Sequence, residues 1–126
     1  MKTLNIISSA YRGTLEEQDD TIVWLTHAMR GVGAPIDVLL RGAAVNYVMA
    51  GQETGPLTIG ARTQRHSPNI SGEVARLIAN KAMVYVMADD IEQRGLDPAR
   101  VLQGVHLISA PALAELLATY QNIWCW

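Results

Sequence analysis

Two hydrophobic rhythms take turns along the chain. In "TLNIISS", Leu4, Ile6 and Ile7 crowd into a short apolar run that predicts a first strand. Ile22, Leu25, Met29 and Val32 then recur at helical spacing until Gly31, Gly33 and Pro35 end the pattern. Thr14 with Glu17 three residues on has the form of a capping box and predicts the start of that helix. "PIDVLL" is a second, almost continuously apolar strand, as expected where both faces of a sheet are covered. "GAAVNYVMAG" follows as a short helix bounded by glycines. The stretch from Gly51 to Asn69 has little periodicity and predicts a long loop, which we read as an intersubunit arm.

Periodicity returns with Ile70, Val74, Leu77 and Ile78, and "AMVYVM" is the third strand. Asp97 before Pro98 predicts a capped short helix. "GVHLIS" is a fourth strand, Leu113, Leu116, Leu117 and Tyr120 mark a last helix, and "NIWCW" is a fifth strand. Strand and helix alternate, with no strand pair joined by a two-residue hairpin turn. The expectation is an α/β protein of one domain, 1–126, with a largely parallel sheet and helices on both faces.

Composition narrows the function classes. The chain has 126 residues, a net charge of -2 and no run of Lys or Arg, so nucleic acid is not an expected partner. No segment is long enough to cross a bilayer and the N-terminal apolar run is too short for a signal-peptide core, so the expected compartment is the cytoplasm, without membrane association. A single cysteine offers no disulfide within the chain and no paired thiols. His27, His66 and His106 lack ligand spacing, so no metal site is expected, and no cofactor is expected either.

The turn "SSAYRGT" after the first strand would hold an anion on backbone N–H groups, or would merely cap a helix. It lacks both the P-loop ending and the spaced glycines of a dinucleotide fingerprint, which favours the capping role. Asp89 and Asp90 are adjacent, and Asp89 with Glu92 has the spacing of a helix cap rather than of a catalytic acid pair. Arg94 beside Gly95 would hold an anion or complement a helix C-terminus, and the sequence leaves both open. Trp124 and Trp126 fall on one side of the terminal strand with Cys125 on the other. So apolar a terminus is expected to be buried, either within the sheet or against another subunit, with Cys125 packed as a small hydrophobe and only a weak nucleophile candidate.

These stretches together resemble the DsrE/DsrF/DsrH-like superfamily, which includes the TusB, TusC and TusD sulfur-relay subunits and the YchN-type homo-oligomers. The resemblance runs over nearly the whole chain. It is carried by "SSAYRGTLEEQDDTIVWLTHAM", "VLLRGAAVNYVMAGQ" and above all "VYVMADDIEQRGLDPARVLQGVHLIS", with its Arg-Gly-Leu after a short helix. It implies a three-layer α/β/α sandwich with a five-stranded parallel sheet, assembled as trimers or hexamers of itself or with related subunits. It further implies that the loop after the third strand is where a relay cysteine stands in the catalytic members. Counting back from the Arg-Gly pair puts Met87 at that position. The chain thus resembles the DsrF and TusC subunits, which commonly lack the cysteine.

Three functional expectations follow. The first is a noncatalytic subunit tied to sulfur trafficking, in contact with related subunits or a sulfur-carrier protein. The second is a homo-oligomer binding a small anionic ligand or nucleotide in a cleft lined by Tyr11, Arg12, Met87, Asp89 and Arg94, at the carboxyl edge of the sheet. The third is a sulfurtransferase acting through Cys125.

Overall fold

A computed structural model describes residues 1–10 and 20–126 of the chain. Five parallel strands form one sheet: β1 (Thr3–Ile7), β2 (Ile36–Leu40), β5 (Val84–Met87), β6 (His106–Ile108) and β7 (Asn122–Cys125). Their spatial order is β6-β5-β2-β1-β7. Among the described residues four helices accompany them: α1 (Thr21–Gly31), α2 (Ile70–Ala79), α3 (Ala88–Gln93) and α4 (Ala110–Ala118). Two 3-10 segments, Gly42–Val48 and Pro98–Arg100, complete the crossovers.

The handedness of parallel connections explains how the helices are shared between the faces. Steps from β1 to β2, β2 to β5 and β5 to β6 all move the same way across the sheet, so right-handed crossovers put α1, α2 and α3 on one face. The step from β6 to β7 runs back across the sheet, which sends α4 to the other face. The packing agrees. Ile22 and Val23 of α1, Val74 and Leu77 of α2 and Ile91 of α3 join Ile7, Val38, Leu40, Val84 and Val86 in one core. Leu4, Ile6, Leu39, Tyr85 and Met87 form the second core with Tyr120, and Leu113, Leu116 and Leu117 of α4 cover it.

Of three expectations about the chain's course, the first lies outside the described residues and the other two need correction. The described part of α1 begins at Thr21 behind an Asp20 cap, whose Oδ1 accepts from Ile22 N at 2.8 Å and Val23 N at 3.0 Å. The Thr14 capping box lies outside the described residues. Second, the long loop contains a hairpin: β3 (Thr58–Ile59) and β4 (Arg62–Thr63) pair antiparallel. Gly60 opens its two-residue turn at φ +59°, a conformation in which a side chain would be strained. Third, within the single chain the terminal strand is not buried in the sheet. β7 is the outermost strand beside β1, leaving Trp124 and Trp126 38% and 40% exposed and Cys125 exposed. An edge strand has nothing beyond it to cover its side chains, and Trp126 is held by its ring N–H donating to Asn5 Oδ1 at 3.2 Å.

Candidate functional site

In an open α/β sheet the crevice for ligands opens at the carboxyl ends of two neighbouring strands whose following helices go to opposite faces. Here those strands are β5 and β6, because α3 follows β5 on one face and α4 follows β6 on the other. Met87 and Ile108 are register partners at that point. Met87 also precedes α3 directly, in an extended conformation and without a side-chain cap bond.

Both side chains turn into the α4 side. Met87 is 8% exposed and belongs to the core with Leu39, Tyr85 and Tyr120, while Ile108 packs against the same cluster. A thioether and a hydrocarbon therefore close the mouth. Neither can act as acid, base or thiolate.

The adjacent acids of α3 take different roles. Asp90 Oδ2 accepts from Gly42 N at 2.8 Å, tying the turn after β2 to α3, and Arg94 lies 3.9 Å from its other oxygen. Asp89 is exposed and sits inside the helix rather than at its cap, so the expected cap with Glu92 is absent. Arg94 is the residue before Gly95, which turns the chain at φ +62°. Its nearest charged partner is thus structural, and the helix-end role is the one visible.

The opposite face has a polar cleft of about 170 Å³ at the same edge of the sheet. Its walls include Ala10 after β1, Asn46 and Tyr47 of the first 3-10 segment, Gln52, and Asn69 with Ser71 at the start of α2. Tyr47 is held by its hydroxyl donating to Asp20 Oδ2 at 2.7 Å. Gln52 donates to the carbonyl of Met49 at 2.8 Å. The described walls are amides, hydroxyls and apolar groups without a charged side chain. They suit neutral hydrogen-bonding groups, and the volume is below that of ordinary ligand pockets.

Met87, Asp89 and Arg94 are therefore near one another in sequence and at one edge of the sheet, yet they do not line one cleft. Met87 is packed under α4, Asp89 and Arg94 are on exposed α3, and the polar cleft is formed by other residues. Tyr11 and Arg12 lie outside the described residues. Cys125 is on the α4 side of the sheet but at its opposite edge, three strand spacings or about 14 Å from β5. Among the described residues no group of His, Cys, Asp and Glu could hold a metal, and no helix is long and apolar enough to cross a membrane.

The cleft residues escaped the sequence reading because uncharged Asn, Gln and Ser carry no motif. The available signal was the Asn69 N-cap, whose side chain accepts from Gly72 N at 3.0 Å.

No family model matches the chain, and no curated protein matches it in sequence. Solved structures do. The YchN protein of E. coli superposes with a TM-score of 0.73 at 19% identity, covering 100% of both chains. A conserved protein of unknown function from Bacteroides thetaiotaomicron gives 0.68 at 15% identity, over 99% of this chain and 95% of that one. A protein of unknown function from Methanobacterium thermoautotrophicum gives 0.59 at 12%, over 97% and 96%. At such identities the likeness concerns the fold, and the fold of this chain is the YchN-like, DsrE-like α/β architecture with a five-stranded parallel sheet.

Proposed function

We propose that the chain is a noncatalytic subunit of a small DsrE-like assembly connected with persulfide transfer. One observation carries the reading: Met87 fills the carboxyl end of β5, where the resemblance would have a relay cysteine, and is packed there as a core side chain. Sulfur relay requires a thiolate that attacks the outer sulfur of a persulfide while the donor thiolate leaves. A methionine sulfur, already bonded to two carbons, has no proton to lose and cannot become the carrier. Exposed Ile123, Trp124 and Trp126 along β7 support a role among other chains, since apolar edge strands are normally covered. The partners in this reading are further copies of this chain or related subunits, together with a sulfur-carrier protein.

The test is to incubate the purified protein with a persulfide donor and measure its intact mass, beside a Met87→Cys variant. The native chain should stay unmodified and the variant should gain sulfur. Stable sulfur on Cys125 of the native chain refutes the noncatalytic reading.

A further inference from the structure

Two features of the molecule are incomplete by themselves. The first is the hairpin β3–β4. Every residue from 51 to 63 is exposed, including Leu57 at 39% and Ile59 at 73%. A two-stranded hairpin is marginal in water unless something covers it. The second is an open apolar groove of about 520 Å³ beside edge strand β6, lined by Ile91, Leu96, Pro98, Val101 and Leu107. Leu107 is 54% exposed there.

We propose that the hairpin of one copy docks in this groove of the next, joining chains head to tail. The inference rests on the subunit reading above and names the contact that builds the assembly. Charge and polarity match on the two sides. Ile59 and Arg62 are register partners across the hairpin, so an apolar and a cationic side chain stand side by side at its tip. The groove presents Leu107 and Ile91 with Glu92 as its charged lining residue, and Asp89, one turn from Glu92, adds a second exposed carboxylate. Arg62 and Arg65 form no ion pair among the described residues. Of the nearby cations, Arg94 faces Asp90, and Arg100 is tied to the carbonyl of Ala50 at 2.6 Å rather than to Glu92 or Asp89.

The root of the arm is firm. Ala50 N donates to Arg100 O at 2.8 Å, and Met49 forms a bridge with Val101. From that anchor the nine residues to Gly60 reach at most about 30 Å, enough to cross to a neighbouring chain. Each copy carries one unfilled arm and one unfilled groove, so a second copy is the occupant that satisfies both. The contact is heterologous, and repetition closes a ring when the rotation between copies allows it.

The experiment is light scattering on the full chain and on Ile59→Asp and Leu107→Asp. Both positions are solvent-facing in the single chain, and circular dichroism checks that the variants fold. Each variant should lose assembly mass, and mixing them should produce a heavier 1:1 species through the one intact arm and the one intact groove. Arg62→Glu and Glu92→Arg should each weaken association about tenfold, and their combination should restore it. A native oligomer whose mass survives both aspartate substitutions overturns the arm-in-groove contact and leaves the subunit reading standing. A mixture that gains no mass also overturns the contact. A native chain that is monomeric overturns both.

Discussion

Tyr120 is the residue whose removal gives the most defined result. It follows α4 and is 7% exposed, with its hydroxyl donating to Asp37 Oδ2 at 2.7 Å. Asp37 is a carboxylate in the apolar run of β2, 4% exposed, and its other oxygen accepts from Met83 N at 2.8 Å. Lys2 and Arg30 approach it at 3.5 and 3.7 Å. Tyr120→Phe removes this buried bond to a charged acceptor, together with a long contact to the Tyr85 hydroxyl at 3.5 Å, and leaves the other partners of Asp37 in place. The expected loss is about 2 kcal/mol. For a domain of this size that corresponds to a fall of about 8 °C in Tm.

The pH dependence supplies a second, independent reading. Burial, followed by the hydrogen bonds to Tyr85 and Asp37, raises the Tyr120 pKa far above its ordinary value. A tyrosine whose folded pKa is raised keeps its proton in the native state while the unfolded chain releases it. Its contribution is therefore full below about pH 10 and is lost as pH rises above that. By pH 11 the native protein should have lost about 1.4 kcal/mol through this residue, and the Phe variant nothing. The gap between the two in urea unfolding should narrow from about 2 kcal/mol at pH 7 to under about 1 kcal/mol at pH 11. A Tm drop below about 2 °C at neutral pH, or a gap constant to pH 11, refutes the argument that this hydroxyl is a buried donor to Asp37.

Substitutions at two further positions test the framework of the carboxyl edge. Asp20→Ala removes the cap of α1 and the carboxylate that positions Tyr47, and should cost about 3 kcal/mol, whereas Asp20→Asn keeps the capping oxygen and should cost about 1 kcal/mol. Equal urea midpoints for the two variants would contradict the assigned bonding. Gly42→Ala should lower stability by about 2 kcal/mol, because Gly42 has φ +56° and an added Cβ would lie 3.0 Å from Ser8 O, beside the bond to Asp90. An unchanged melting curve would show that this turn tolerates a side chain.

The parallel sheet was readable because its strands are short apolar runs separated by crossovers, and all five runs became strands. Boundaries and faces were less visible. "LEEQDD" offers four acids for a cap, and at Asp20, the described residue among them, the bonds to Ile22 N and Val23 N make the cap visible only in three dimensions. The hairpin was missed because Thr58–Ile59 and Arg62–Thr63 are too short to show alternation, while a Gly-Ala turn is less distinctive than Asn-Gly. The terminal tryptophans read as core because their size predicts burial, but a strand's place in the sheet is a property of the whole topology. Asp89 and Asp90 are equivalent in sequence. One helical residue step, about 100° of rotation, points Asp90 toward Gly42 and leaves Asp89 in solvent.

The same topology links the buried methionine to the unfilled surfaces. Reversal of direction after β6 creates the crevice at Met87 and Ile108, and it also leaves α4 as the only helix over its face among the described residues. Nine residues cannot cover five strands. Leu113, Leu116 and Leu117 are accordingly half-buried, and Ile123 of β7, beside Leu4 on the same face, is 40% exposed. Placing Met87 and Ile108 in that thin layer adds apolar contact under α4, at the expense of a reactive group at the crevice. A cysteine at 87 would be smaller, would pack less of this layer, and would require the mouth to open for an incoming persulfide. The packing that excludes relay chemistry from β5 is thus the packing that stabilises the single chain. What remains unsatisfied is on the outside, at the hairpin, the β6 groove and β7, where another chain can complete it.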